Sequence, residues 1–263
     1  MRFFTNLPIW VLILLLILLT GLSMLGPILI RRRVAFQRLR TNNEVAGFKF
    51  ATIGVLYAVL LAFVVIIVWE RFHDAEKALT EEAGAAASIY RLSGGLSEEG
   101  GRALRTRLSA YLHSVLADDW PAMAHNRSSP VTNRLLNGLY ADMVRYRPAD
   151  MHDADLQSGL FRALDQLTQS RRERLVMAEG TVPSAIWFVL FLGAVLTISF
   201  TFFFGTENVL TQSLMTGVLA ALIFSAILVI VSIDQPFTGS VTVSREPIQL
   251  ALEDFKNGVE LPP

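Results

Sequence analysis

The residues that could carry chemistry in this chain are few and scattered. Glu70 and His73 stand three apart on a segment that reads as helical, the spacing with which a carboxylate and an imidazole share a metal in carboxylate-bridged helical centres. Such a centre needs a second Glu-x-x-His and two further glutamates, and the sequence holds no second copy. The pair reads instead as interfacial, with Trp69 and His73 at headgroup level and Glu70 and Lys77 in surface ion pairs. His113, His125 and His152 form neither an i,i+4 pair nor an H-E-x-x-H motif, so a zinc protease site is unsupported. No Walker A, G-x-G-x-x-G or G-x-S-x-G motif occurs. With no cysteine there is no thiolate ligand, disulfide or thiol nucleophile. The chain therefore reads as a non-enzyme with no cofactor and no metal. Asn126-Arg127-Ser128 fits a glycosylation sequon, which matters only in a host that glycosylates.

The apolar residues carry more information. They are 52% of the chain, with a mean hydropathy of +0.46, and they gather in four runs: residues 8–30, 50–69, 183–204 and 209–233. Each is about the ~20 residues that a helix needs to cross a bilayer, and none contains a formally charged side chain. The first is too long for a signal peptide and lacks a small-x-small cleavage site before Arg31, so it reads as a retained anchor. Ion-coupled transporters usually keep an ionisable residue or a broken helix near the midplane. Here the runs offer hydroxyls such as Thr20, Thr197 and Ser213 and no Asp, Glu, Lys, Arg or His. A channel stays open, since a pore can gate at a hydrophobic constriction and select with charge at its mouth.

The organising element runs over residues 47–91. It has no proline, is apolar through Trp69, and then continues in charged but strong helix formers to the breaker Gly94-Gly95. This is one helix that spans a membrane and projects into water. Gly47, Ala51, Gly54, Ala58 and Ala62 place small residues along one face, where a second helix backbone could approach closely. That seam lies either inside one bundle or between subunits around an axis. The opposite face, Ile53, Leu56, Leu60, Phe63 and Ile67, is bulky and would meet lipid, neighbouring helices or a pore.

Four divisions follow: residues 1–70 with two spans and a basic loop, 71–182 as an extramembrane helical bundle inserted between spans two and three, 183–233 as a membrane hairpin, and 234–263 as a tail that packs back on the bundle. In the bundle, apolar stripes appear at Leu104, Leu108, Tyr111, Leu112, Val115 and Leu116, and at Leu135, Leu136, Leu139, Tyr140, Met143 and Val144. Gly100-Gly101 is expected to precede the first, and Ser129-Pro130 to cap and start the second. A further helix over residues 151–179 buries Leu156, Leu160, Phe161, Leu164 and Leu167. The tail offers Pro236 and Gly239 at turns, a valine-threonine alternation and a last amphipathic turn. The formal charge is zero, which gives no sign of a nucleic-acid partner.

The loop after the first span carries Arg31, Arg32, Arg33, Arg38, Arg40 and Lys49. It reads as a topology determinant or as a patch for an anionic lipid or ligand. By the positive-inside rule it faces the cytoplasm, which leaves the N-terminus and residues 71–182 outside. The opposing flank counts Arg2, Arg71, Lys77, Arg171, Arg172, Arg174 and Arg245.

GFKFATIGVLYAVLLAFVVIIVWERFHDA, EEAGAAASIYRLS, YLHSVLADDWPAM, RRERL, PSAIW and DQPFTG together resemble a bacterial family described as having a bestrophin-like domain, over about residues 43–245. Bestrophins are pentameric ion channels whose second membrane helix lines the pore. The resemblance thus implies that the helix from Gly47 to Trp69 surrounds the axis, with Phe63, Ile66 and Ile67 at a hydrophobic neck. Two features depart from it. Bestrophins keep the soluble part in the cytosol, and the acidic calcium-binding cluster of eukaryotic members has no counterpart in this chain.

The expectation is an all-α homo-oligomer of the bacterial inner membrane, a channel or channel-like permeation unit for small ions. Glu70, Arg71 and His73 would form a charged vestibule where the second span leaves the bilayer. The alternative is a non-conducting sensor or scaffold whose bundle binds a ligand or partner.

Overall fold

A computed structural model describes residues 8–257; Arg2, counted above, and the N-terminus fall outside them. The described residues are helical, without strands, and four helices are long and apolar enough to cross a membrane. The chain divides into two compact units, one of residues 1–70, 180–234 and 239–241, the other of residues 71–179, 235–238 and 242–263.

In the first unit, α1 (Ile9–Arg33) ends in three arginines that complement the negative end of the helix dipole. The five-residue α2 (Phe36–Arg40) follows, and then α3 (Asn43–Leu92), a single helix of 50 residues that enters the second unit after Glu70. No breaker interrupts α3, and it runs unbroken through Trp69. The last membrane-length helices are α8 (Ser184–Thr201) and α9 (Val209–Ile233). Their connection is longer than residues 205–208, because Phe202, Phe203 and Phe204 leave the helix in i→i+3 turns on the carbonyls of Ser199, Phe200 and Thr201. Asn208 then caps α9 by accepting the amides of Leu210 and Thr211. Gly217 of α9 lets α1 come close: a Cβ there would stand 2.8 Å from the Met24 side chain.

The second unit holds the charged half of α3, α4 (Glu98–Ser114), a π-helical turn over Val115–Asp119, α5 (Trp120–Met123), α6 (Pro130–Arg145), α7 (Met151–Met177) and α10 (Glu246–Asn257). Leu79, Leu108, Leu112, Leu139, Leu160 and Leu164 are buried at its centre, each contributing about 1.5–3 kcal/mol. Caps set the boundaries: Ser129 accepts the amides of Val131 and Thr132 before Pro130, and Asp150 accepts that of Asp153. Of the second stripe, Leu136, Leu139 and Met143 are buried but Val144 is exposed.

Two local expectations fail. Gly100 and Gly101 do not precede α4 but lie within it, because Ser97 caps the helix earlier; a Cβ on Gly101 would stand 2.3 Å from the Ser93 carbonyl oxygen. The amphipathic stretch of the tail is a twelve-residue helix rather than a turn. Pro247 occupies its first turn, where no amide is needed, and Ile248, Ala251 and Leu252 are buried. Tyr90 stacks on Phe255 at 4.2 Å and donates its hydroxyl proton to the Phe255 carbonyl at 2.9 Å.

Candidate functional site

Along the apolar half of α3 the buried residues are Tyr57, Leu61, Val64 and Val68, spaced by four, three and four so that they share one face. This is a third face, between the small and the bulky ones. Tyr57 donates to the Leu190 carbonyl at 2.7 Å, and Gly193 admits the ring: a Cβ there would lie 2.4 Å from it. The small residue that makes the contact belongs to α8, not to α3.

Among the described residues, little packs on the small-residue face. Ala51, Ala58 and Ala62 are exposed, Gly47 and Gly54 half-buried, and a Cβ on either glycine would meet nothing within 4 Å. The bulky face is also open, with Phe63 and Ile67 exposed by 62% and 49%, and Ile66 is exposed by 51%. An apolar span with so little buried surface has faces that only lipid or other helices can cover.

Glu70 is exposed. Arg71 is half-buried, donates from Nη2 to the Val176 carbonyl at 3.3 Å, and has a buried Nε without a partner. His73 is exposed, and its Nδ1 stands 3.6 Å from Glu76, not Glu70; Lys77 pairs with Glu81. Among the described residues no three His, Asp or Glu side chains gather as metal ligands. His113, His125 and His152 are separately exposed.

The second unit contains a centre that the sequence did not announce. Arg174, Glu82 and Asp119 have no exposed surface and Arg171 only 5%. Arg174 donates from Nε to Glu82 at 2.5 Å and from Nη2 to both Glu82, at 3.0 Å, and Asp119, at 3.2 Å. Arg171 adds a fork on Asp119 at 3.0 and 3.2 Å and reaches Asn133 at 2.7 Å. The Tyr111 hydroxyl donates to Glu82 at 2.5 Å, and the Ser129 amide to Asp119 at 2.7 Å. Two guanidinium cations thus meet two carboxylates, and the cluster is neutral as a whole.

Burial pushes the Tyr111 hydroxyl well above the usual phenol value, with the Glu82 charge adding to it. For Arg174, burial works against the charge, but the Glu82 carboxylate and its hydrogen bond, with Tyr111 and Asp119, together hold the guanidinium above the ordinary arginine value. The π turn places Asp119 at this depth, just before Pro121, which has no amide to donate. Trp120 beside it meets Phe237 edge-on at 5.4 Å and lies under the Arg245 guanidinium at 4.9 Å.

A signal for this centre was present. On α7 the buried spacing Leu160, Leu164, Leu167 continues to Arg171 and Arg174, and on α3 the run Ala75, Leu79 continues through Glu82 to Ala86 and Ile89. Opposite charges at core positions of separate stripes mark a buried pair. Counting Arg171 and Arg174 as flanking surface charge was an error, since both lie in the interior.

The first unit has a buried carboxylate of its own. Asp234, immediately past α9, accepts the amides of Thr181 and Val182, each at 2.9 Å. Burial raises its pKa above the ordinary carboxylate value despite these two donors.

The chain matches the Bestrophin-like domain over residues 17–248. No curated protein matches it. It is similar to crystal structures of single-substitution variants of a bacterial Bestrophin homolog from Klebsiella pneumoniae. Two of these share 16% identity and a TM-score of 0.73; one comparison covers 94% of this chain and 98% of that one, the other 95% and 99%. A further crystal structure, titled only as a membrane protein, gives 14% identity and a TM-score of 0.72 over 92% of this chain and 97% of that one. At these identities the likeness is one of fold.

Proposed function

We propose that this chain, which belongs to the Bestrophin-like domain family, is a homo-oligomeric, multi-pass channel or channel-like permeation protein of the bacterial inner membrane. The observation that carries the proposal is the family match over most of the chain, joined to an α3 whose small and bulky faces are both largely exposed among the described residues. In the assembly, pentameric if it follows bestrophins, the small face of Gly47, Ala51, Gly54, Ala58 and Ala62 packs copies together. Phe63, Ile66 and Ile67 turn toward the axis as a hydrophobic neck that passes small ions when wetted. Glu70, Arg71 and His73 follow the neck along α3 as a charged vestibule, with Arg71 the least free to reach an ion because its guanidinium is tied to Val176. The second unit is the extramembrane bundle. The arginine-rich loop faces the cytoplasm, which leaves residues 71–182 outside.

The test is reconstitution of the purified protein in planar bilayers. Unitary currents are expected, and Phe63→Ala, which widens the neck without touching a buried residue, is expected to raise the unitary conductance or the open fraction. Silence over wide ranges of voltage, pH and ion type would instead favour a sensor or scaffold.

A further inference from the structure

The connection between α1 and α3 is held at several points. Arg31 donates from Nη1 to the Thr206 carbonyl at 2.6 Å, and its guanidinium lies over the Phe36 ring at 4.4 Å. Arg40 pairs with Glu207 at 3.8 Å. The Asn43 side chain bonds Gly205 in both directions, donating to its carbonyl at 2.7 Å and accepting its amide at 2.9 Å. Gly205 comes so near the α2 backbone that a Cβ on it would stand 2.6 Å from the Arg40 nitrogen. Leu39 is buried. The loop is therefore a fixed platform against the tip of the α8–α9 hairpin.

Once Arg31 and Arg40 are assigned to this fastening, Arg32, Arg33 and Arg38 remain. All three are exposed, and none of their side chains has a hydrogen bond or ion pair among the described residues. Along residues 31–49 the only acid is Glu44. Arg32 and Arg33 complement the dipole of α1, but that role needs neither Arg38, which lies beyond the helix, nor the fastening. We propose that Arg32, Arg33 and Arg38 form a docking surface for the headgroups of anionic phospholipids. They stand at the end of an apolar span, the depth at which lipid phosphates lie. The planar guanidinium fork matches a phosphate in a bidentate way, and a platform already fixed avoids much of the ordering cost of binding.

The full-length protein, purified in a neutral detergent, is supplied with phosphatidylglycerol or phosphatidylcholine, and bound lipid is counted by native mass spectrometry alongside thermal unfolding. Phosphatidylglycerol is expected to be retained at least twofold more than phosphatidylcholine and to raise the unfolding temperature, with both effects shrinking as NaCl is added. The triple variant R32Q/R33Q/R38Q is expected to lose that preference while unfolding in phosphatidylcholine only slightly below the wild-type temperature, the difference being the lost dipole contribution of Arg32 and Arg33. Should the triple variant not fold, Arg38→Gln alone, outside the span, is expected to reduce phosphatidylglycerol retention. Equal retention of the two lipids by the wild type, an undiminished preference in the variant studied, or the same thermal shift from inorganic phosphate would each overturn the proposal. None of these readouts depends on whether the protein conducts.

Discussion

Arg174 has no exposed surface, and the effect of removing it follows from what it would leave behind. Arg174→Met would strip Glu82 of both its guanidinium bonds in a fully buried interior. A buried pair broken from one side costs about 3–5 kcal/mol, which a denaturant titration in detergent would read as a lower midpoint. Adding Glu82→Gln removes the stranded charge and keeps an acceptor for Tyr111, so the double variant should recover more than about 1 kcal/mol over the sum of the singles. Additive losses would mean that the two side chains are not coupled. Asp234 behaves differently because burial raises its pKa. A raised carboxyl pKa contributes stability below the unfolded value that is lost as pH rises through the folded one. Asp234→Asn keeps the oxygen that accepts the Thr181 and Val182 amides and drops the charge. It should therefore unfold at or above the wild-type temperature at neutral pH, with the gap narrowing as pH falls. Asp234→Ala, which strands both amides, should cost about 1–3 kcal/mol. At this scale little of either centre was legible. Each charged residue is ordinary in the sequence, and only its place on a stripe of apolar neighbours shows that it points inward.

At the scale of elements, length and breakers decided what could be read. α3 was visible because nothing between Asn43 and Leu92 opposes a helix, and α6 because Ser129 and Pro130 announce its start. Features that depend on neighbours were hidden. The π turn before Pro121 has no sequence signature, and neither does the choice of Tyr57, Leu61, Val64 and Val68 as the packed face, since that choice depends on Gly193 of α8. The same glycine supplies a contrast for the small face of α3. A Cβ at Gly54 would meet nothing within 4 Å and Gly54→Leu gains helix propensity of roughly 1 kcal/mol, so the protomer should fold as well as before. If Gly54 faces another copy, the added side chain should reduce the oligomer on a native gel. Gly193→Leu should do the reverse, lowering stability through its collision with the Tyr57 ring whatever the oligomer does. An unchanged oligomer in Gly54→Leu would leave the small face as a lipid-facing surface.

For the molecule as a whole, orientation is the property on which the proposed vestibule and the ligands it would meet depend. Arg171 and Arg174 are paired inside the second unit with Asp119 and Glu82, so they no longer weigh against the arginine loop. Of the flank opposite it among the described residues, Arg71, Lys77, Arg172 and Arg245 remain, and Arg71 is half-buried. The loop keeps Arg31, Arg32, Arg33, Arg38, Arg40 and Lys49 in a short connection next to the first span, where the positive-inside rule has most force. The prediction is that a cysteine at Ser128 reacts with a membrane-impermeant maleimide added to intact cells, while one at Gln37 reacts only after the membrane is opened. Both positions are exposed, and the chain has no native cysteine to confuse the readout. Ser97 is a poorer choice, because its hydroxyl caps α4 and its loss would cost about 1 kcal/mol. The opposite labelling pattern would put residues 71–182 in the cytosol, as in bestrophins. Glu70, Arg71 and His73 would then meet cytosolic ions, and the anionic headgroups available to Arg32, Arg33 and Arg38 would be those of the outer leaflet.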